Sequence, residues 1–360
     1  MTDDAAKLRL LVLEGDGIGP EICAATLAVL KAADARFVLG LEFEHAPIGF
    51  TALAASGSTF PEATWARAQA ADGIVLGPVS HNDYPPRSAG GLNPSGELRI
   101  RLDLFANIRP ARTQPGVPHA SRTPFDLVIV RENTEGFYAD RSMFVGPGEY
   151  MPTPDLALAT RKVTREASLR IAEQAFVLAG QRRGKVTAVH KANVMRISDG
   201  LFLECVRSVA ARYPGVVYEE QLVDAMAALL VRDASAFDVI VATNMFGDIL
   251  SDEAAELAGG LGLGASLNAG HSRAVAQAQH GSAPTLAGRD LGNPAALILS
   301  SAMLLAWLGE RNARPALVAA SQSIDAAVRG CISDSATRTR DLEGALGTAA
   351  FAAAIAARIG

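Results

Sequence analysis

Two aspartates, Asp248 and Asp252, lie four residues apart in NMFGDILSDEAAELAGG (residues 244–260), so on a helix they share a face. Neighbouring carboxylates repel unless a cation lies between them, and hard divalent ions such as magnesium or manganese take oxygen ligands of this kind. Asp224, in the preceding QLVDAMA, is a candidate third ligand. For Asp248 taken alone, complementing a helix macrodipole is the simpler role. A second group is cationic: Arg99 and Arg109 in GELRIRLDLFANIRP, and Arg131 in VIVRENTEGFY. Guanidinium groups bind carboxylates through paired hydrogen bonds, so a dicarboxylic or tricarboxylic ligand needs such a cluster. Any one arginine reads as a solvated surface residue, except that Arg131 ends an apolar run, and ligands bind at the carboxyl ends of strands in open α/β sheets. Lys191, in HKANVMRISDGLF, also follows an apolar run directly. Near a buried cationic or metal site a lysine can lose its proton and act as a base; elsewhere it is an ordinary rim residue.

Two glycine-containing segments complete the set. EGDGIGPE (residues 14–21) follows one apolar run and opens a helical one; its spacing is G-x-G-x-G, not the G-x-G-x-x-G of a Rossmann phosphate turn. It suits either a tight structural turn or backbone approach to an anion at a helix N-terminus. HGSAPTLAGRDLGNP (residues 280–294) is a loop of small residues able to wrap a nucleotide through backbone contacts.

The elements that must position these residues are an alternation of strands and helices. Short apolar runs at residues 8–13, 73–76, 126–130, 185–189 and 238–242 read as buried strands, and Ala- and Leu-rich stretches such as residues 20–33 as helices, with Pro20 suited to the first helical position. This pattern predicts an α/β protein. A chain of 360 residues predicts two domains. The Pro-rich stretch at residues 109–118 reads as a connector leaving the first unit, and GGLGLG (residues 259–264) as the return. The expected division is 1–104 plus 260–360 for a discontinuous larger, cofactor-binding domain and 105–259 for a smaller one. Residues 141–160, with three prolines and two glycines, are too broken for a long helix and predict an extended arm or hairpin.

Composition excludes several classes. Hydrophobic residues are 49% and charged residues 20% of the chain, which is globular rather than disordered, and a net charge of −5 gives no general affinity for nucleic acid or anionic membranes. No run reaches the roughly 20 apolar residues that span a bilayer, and the acidic start is unlike a signal peptide. Cys23, Cys205 and Cys331 are scattered, which fits a reducing cytoplasm.

Taken in order, the five segments resemble the isocitrate and isopropylmalate dehydrogenase family of metal-dependent decarboxylating dehydrogenases, from Leu10 to about Phe351 and including RTRDLEGALGT (residues 338–348). The resemblance implies a two-domain fold distinct from the Rossmann fold, and a homodimer with active sites shared between subunits. It implies that Arg99, Arg109 and Arg131 grip the carboxylates of a malate core, and that Asp248, Asp252 and Asp224 bind magnesium or manganese. Asp224 and Lys191 would reach into the partner's cleft, with Lys191 assisting removal of the hydroxyl proton and Tyr138 donating a proton at carbon 3. NAD contacts would come from Ile18, Asn193, Asn293 and the loop His280, Gly281, Ser282, Ala283, Pro284 and Thr285.

The chain departs from the family at informative positions. Gln277 replaces a glutamate common three residues before the loop histidine, and Thr285 replaces the aspartate of many NAD users. Thr285 and Leu286 also lack the Lys-Tyr pair of NADP users, and Arg340 and Gly344 replace their later Tyr and Arg. NAD is therefore expected, with Arg289 and Arg340 leaving NADP open. In GGLNPSGELR (residues 90–99), Ser95 and Gly96 stand where isopropylmalate enzymes place leucines, and Asn93 and Ser95 resemble the polar residues of isocitrate enzymes. Pro94 interrupts the helical pattern there. The expected substrate is a 3-substituted malate with a polar or small substituent. The alternatives are 3-isopropylmalate dehydrogenase proper and a non-catalytic regulatory subunit.

Overall fold

The computed structural model describes residues 7–138, 143, 145, 146 and 148–359. A ten-stranded mixed sheet runs through the whole molecule. Its strands are β1 (Leu8–Leu13), β2 (Leu41–His45), β3 (Gly73–Leu76), β4 (Ala106–Arg112), β5 (Asp126–Glu132), β8 (Lys185–His190), β9 (Val217–Leu222), β10 (Val239–Ala242), β11 (Leu267–Ala269) and β12 (Ala274–Gln277), while β6 (Glu149–Thr153) and β7 (Leu156–Ala159) pair separately. The order across the sheet is β2-β1-β3-β12-β11-β4-β5-β10-β8-β9. The two flanks are parallel, and the central pairs β12–β11, β11–β4 and β4–β5 are antiparallel.

Each flank is covered by helices on both faces, which is why β1, β3, β5, β8 and β10 are nearly continuous apolar runs. On one flank pack α1 (Gly19–Phe37), α2 (Gly49–Ser56), α3 (Glu62–Ala70), α4 (Pro94–Arg101), α9 (Ala295–Arg311), α10 (Pro315–Ser333) and α11 (Thr348–Ile359). On the other pack α5 (Arg165–Gly180), α6 (Ser198–Ala210), α7 (Val223–Asp233) and α8 (Asn244–Ala258). Two cores lie on the first flank and two on the second, giving a mixed α/β fold of two domains joined through the antiparallel strands. Among the described residues no helix is long and apolar enough to cross a membrane, and Cys23, Cys205 and Cys331 are free and buried.

Two readings of the sequence need correction. Residues 109–112 do not begin a connector: they belong to β4, paired with both β5 and β11, and Pro110 is accommodated inside it. Pro94 does not break its helix either. It occupies the first turn of α4, where no N–H is needed, and Asn93 caps that turn by accepting a hydrogen bond from the Gly96 N–H at 3.2 Å. The segment expected to form an arm contains the β6–β7 antiparallel pair, whose residues are all exposed. Arg141, Ser142, Phe144 and Pro147 of that segment lie outside the described residues.

Candidate active site

The antiparallel centre of the sheet places Arg109 and Arg131 side by side. Asn107, Arg109 and Ala111 of β4 alternate onto the face toward α8, as do Leu127, Ile129 and Arg131 of β5. Gly247 lets α8 come close to β5, because a Cβ there would stand 2.8 Å from the side chain of Arg131. One turn of α8 then delivers Asp248, Ser251 and Asp252 to the two guanidiniums.

The ion pairs formed there are dense. Arg131 donates to Asp248, to the Asn244 carbonyl at 2.9 Å and to Asn244 Oδ1 at 2.6 Å. Arg109 lies 3.1 Å from Asp248 and 3.3 Å from Asp252, and it donates to Ser251 Oγ at 2.7 Å and to Asn107 Oδ1. The Tyr138 hydroxyl donates to the other oxygen of Asp248 at 3.2 Å, beneath the Arg131 guanidinium, which sits 5.8 Å from the ring centroid. Burial and the neighbouring Arg131 lower the pKa of Arg109 to about 10 against the pull of Asp248 and Asp252, so it stays charged at neutral pH. Burial acts to raise the pKa of Asp248, but Arg131, Arg109 and Arg99 outweigh it and hold this carboxyl below its ordinary range. Asp252 moves the other way, raised first by burial and further by Asp248.

A cavity of about 200 Å³ opens over this array. It is lined by Arg99, Arg109, Arg131, Tyr138 and Asp248, and across it by Asn93, Ser95, Gln277, His280 and Gly281. Ser95 is buried and its hydroxyl donates to Gln277 Oε1 at 2.8 Å. A buried asparagine network underlies the floor: Asn107 donates to Asn268 Oδ1 at 2.8 Å and Asn133 to the same oxygen at 3.0 Å. Asn107, Asn244 and Ser251 were absent from the sequence reading, since small polar residues become conspicuous only when their burial is known.

The His280 loop is tied to the glycine turn. The Ile18 N–H donates to the Ser282 carbonyl at 2.9 Å, and Ser282 and Ser80 join hydroxyls at 2.7 Å. Gly17 has φ +59°, and a Cβ there would lie 2.0 Å from the Ser282 carbonyl oxygen, so only glycine permits the contact. Asp16 binds the turn together, accepting from the Phe50 and Ser80 N–H groups at 2.9 Å each and from the Tyr84 hydroxyl. The His280 Nδ1 lies 3.0 Å from the Gly281 carbonyl, whereas its Nε2 is buried with no hydrogen-bond partner among the described residues. Burial lowers its pKa, so the ring is neutral. A buried ring nitrogen without a partner beside an exposed loop of small residues fits contact with a polar ligand group. Ala283 takes a left-handed conformation, Pro284 and Thr285 are exposed, and Asn293 accepts the Ala295 N–H at 2.9 Å just before α9 and donates to Asp341 at 2.9 Å.

Lys191, Asn193 and Asp224 do not line this cavity. Lys191 pairs with Asp224 at 2.6 Å, which lowers the pKa of Asp224, and Asn193 is exposed on the same turn after β8. The backbone of Lys191 is anchored from below, where its N–H donates to Asp199 Oδ2 at 2.5 Å; Asp199 is wholly buried and paired with Arg161. Among the described residues no three His, Cys, Asp or Glu side chains converge into a cation cage within one chain.

Residues 9–355 match the family model for isocitrate/isopropylmalate dehydrogenase. The chain is 41% identical to the 3-isopropylmalate dehydrogenase of Methanothermobacter thermautotrophicus over 352 residues, covering 97% of this chain and 98% of that one. It is also 41% identical to the isocitrate/homoisocitrate dehydrogenase of Thermus thermophilus over 349 residues, covering 96% and 97%. The solved isocitrate dehydrogenase of Methylococcus capsulatus superposes with a TM-score of 0.86 at 37% identity, over 98% of this chain and 99% of that one. The chain belongs to the isocitrate/isopropylmalate dehydrogenase family and is an oxidoreductase of it.

Proposed function

We propose that the protein catalyses NAD-linked, divalent-metal-dependent oxidative decarboxylation of a (2R)-hydroxy acid of the 3-substituted malate type, with a polar or small substituent at carbon 3. The observation that carries this reading is the convergence of Arg99, Arg109 and Arg131 with Tyr138 and Asp248 in one cavity. Three guanidiniums there receive the carboxylates of the acid. The wall facing the substituent is Asn93, Ser95 and Gly96, with Gln277 behind Ser95, which favours a hydrogen-bonding group over isopropyl and sets 3-isopropylmalate dehydrogenase proper second.

The division of labour is the one the family resemblance implies, and the distances are compatible with it. Tyr138 holds its phenolic proton beside Asp248 and delivers it to carbon 3 after carbon dioxide leaves. Lys191 stands outside its own chain's cavity beside Asp224, which is consistent with the family resemblance, by which both act in the cleft of a second chain and the active unit is a homodimer. There Lys191 removes the hydroxyl proton as the carbon 2 hydride departs. Asp248 and Asp252 offer adjacent oxygens and Asp224 a third, a set suited to a hard cation. Magnesium or manganese held by these carboxylates would supply polarisation of the carbon 2 oxygen, and NAD would supply the hydride acceptor. His280, Gly281 and Ser282, with Ile18 beneath, receive the nucleotide, joined by Ala283, Pro284, Thr285, Asn193 and Asn293. The two domains are taken to divide at residues 104/105 and 259/260.

The test is nicotinamide reduction followed by absorbance, crossing NAD and NADP with isocitrate, homoisocitrate, tartrate, malate and 3-isopropylmalate, each with magnesium or manganese. One polar acid with NAD is the expected winner, and Lys191→Ala and Tyr138→Phe should lose at least about a hundredfold in turnover while still binding metal. Near-normal turnover by both variants sinks the proton assignments. Binding of NAD and metal with no turnover of any acid would favour a regulatory subunit.

A further inference from the structure

On the reverse face of the sheet, behind the arginines of the active site, lies a second cavity of about 300 Å³. The same two strands serve both. Arg109 of β4 and Arg131 of β5 face α8, whereas Pro110 and Arg112 of β4 and Asp126 of β5, the register partner of Arg112, alternate onto the opposite face. The far wall comes from the other domain: Leu299, Ala302 and Met303 of α9, and Asp325, Arg329 and Ile332 of α10. The cavity is therefore apolar along one side and ionic along the other, and it spans the two domains.

On its ionic side one buried donor has no acceptor among the described residues, and one arginine is only loosely held. Arg182 is satisfied, pairing with Asp126 at 2.7 Å and with Asp238 at 2.8 Å. Arg112 is held only loosely: it pairs with Asp126 at 3.7 Å, and its side chain is 40% exposed, open to a ligand at the mouth of the cavity. Arg329 pairs with Asp325 one turn earlier on α10, yet its buried Nε–H has no acceptor among the described residues. An orphaned guanidinium N–H inside a cavity calls for an acceptor. Arg112, Arg182 and Arg329 against Asp126 and Asp325 leave a single net positive charge. Burial raises the pKa of Asp325 against the pull of Arg112 across the cleft.

We propose that this cavity is a binding site for a small monocarboxylate with an apolar body, its carboxylate between Arg112 and Arg329 and its body against Leu299 and Met303. One negative charge matches the balance of the lining, whereas a dianion such as phosphate would face Asp126 and Asp325 with an excess charge and leave the apolar wall bare. A volume of about 300 Å³ lies at the small end of ligand pockets. Because the carboxylate would bridge β4 to α10, the ligand ties one domain to the other behind the active-site cleft.

The probe is 3-phenylpropionate, titrated calorimetrically into the full-length protein, with neutral 3-phenylpropionamide and inorganic phosphate as controls. The acid binds and neither control does. Arg112→Gln or Arg329→Gln weakens the acid at least about tenfold, as expected for loss of one charge-assisted contact. Met303→Trp, which fills the apolar end, abolishes binding with an unchanged melting temperature, whereas Arg99→Ala in the front cleft leaves it intact. The proposal fails if the wild-type protein does not bind the acid, if amide or phosphate binds as well, or if neither arginine substitution matters. It fails equally if Arg99→Ala removes binding, which would place the probe in the front cleft.

Discussion

The Arg161–Asp199 pair is the interaction whose removal should be felt most strongly relative to its size. Asp199 opens α6 with its side chain wholly buried, and Arg161 is 8% exposed. Arg161 also donates to Thr243 Oγ at 2.9 Å and Ser198 Oγ at 3.0 Å, and its guanidinium sits 5.4 Å from the centroid of Phe246. The second oxygen of Asp199 accepts the Lys191 N–H. Asp199→Asn preserves shape and an acceptor for Lys191 but leaves the Arg161 charge buried without a counter-ion, so it should cost roughly 3–5 kcal/mol. Arg161→Met combined with Asp199→Asn removes both charges together and should recover at least about half of that loss, roughly 2 kcal/mol, so the coupling in a double-mutant cycle is at least about 2 kcal/mol plus the cost of Arg161→Met alone. Urea unfolding followed by far-ultraviolet circular dichroism measures each term. If Asp199→Asn unfolds at the wild-type midpoint, or the double variant is as unstable as the sum of the single ones, the pair is not the anchor described here.

Two further perturbations test other parts of the structure. Burial, aided by Glu132, pushes the pKa of Glu135 up to about 6 from an ordinary 4.5, although the Thr164 N–H and hydroxyl both donate to it. The folded state therefore takes up a proton between these values, and stability rises as pH falls through about 6 toward 4.5 by at most about 2 kcal/mol. Glu135→Gln should flatten this slope in urea titrations at pH 5 and 8; an unchanged slope refutes the assignment. Gly17→Ala must strain a left-handed residue and displace the Ser282 carbonyl, so it should lose about 2 kcal/mol or more and weaken NAD in a calorimetric titration, and wild-type values for both would show that the turn yields easily.

The parts of the fold that could be read from the sequence were those with one physical cause. Strands β1, β3, β5, β8 and β10 are buried on both faces, so their apolar runs announce them. Strand β4 was hidden because its residues serve function and junction at once: Asn107, Arg109, Pro110 and Arg112 look like a loop until both neighbours in the sheet are known. Strands β11 and β12 are too short to show a period, and Asn268 within β11 is polar because it accepts from Asn107 and Asn133. At the site, charged residues in dense motifs were legible and the small polar residues that hold them were not. The separation of Lys191 from Tyr138 was supplied by family resemblance alone, since nothing in their spacing says which cleft each one faces.

On the proposed function, the ion pairs between the arginines and Asp248 and Asp252 predict that acid and cation bind as a unit. Among the described residues Asp248 is held by Arg131, Arg109 and Tyr138, and Asp252 by Arg109. A dicarboxylate that enters the cavity competes for the same guanidiniums and leaves two neighbouring carboxylates without their counter-ions. A divalent cation brought between them removes that penalty, while a cation without the acid must compete with the arginines for the same oxygens. Each ligand therefore lowers the cost of binding the other, and reciprocity requires equal factors. Saturating magnesium should tighten binding of the acid that turns over by about 10- to 100-fold, and saturating acid should tighten magnesium by the same factor, both measured by calorimetry without NAD. Equal acid affinity with and without magnesium would show that the guanidiniums bind the acid while still holding Asp248, and the exchange of partners inferred from these ion pairs would be wrong.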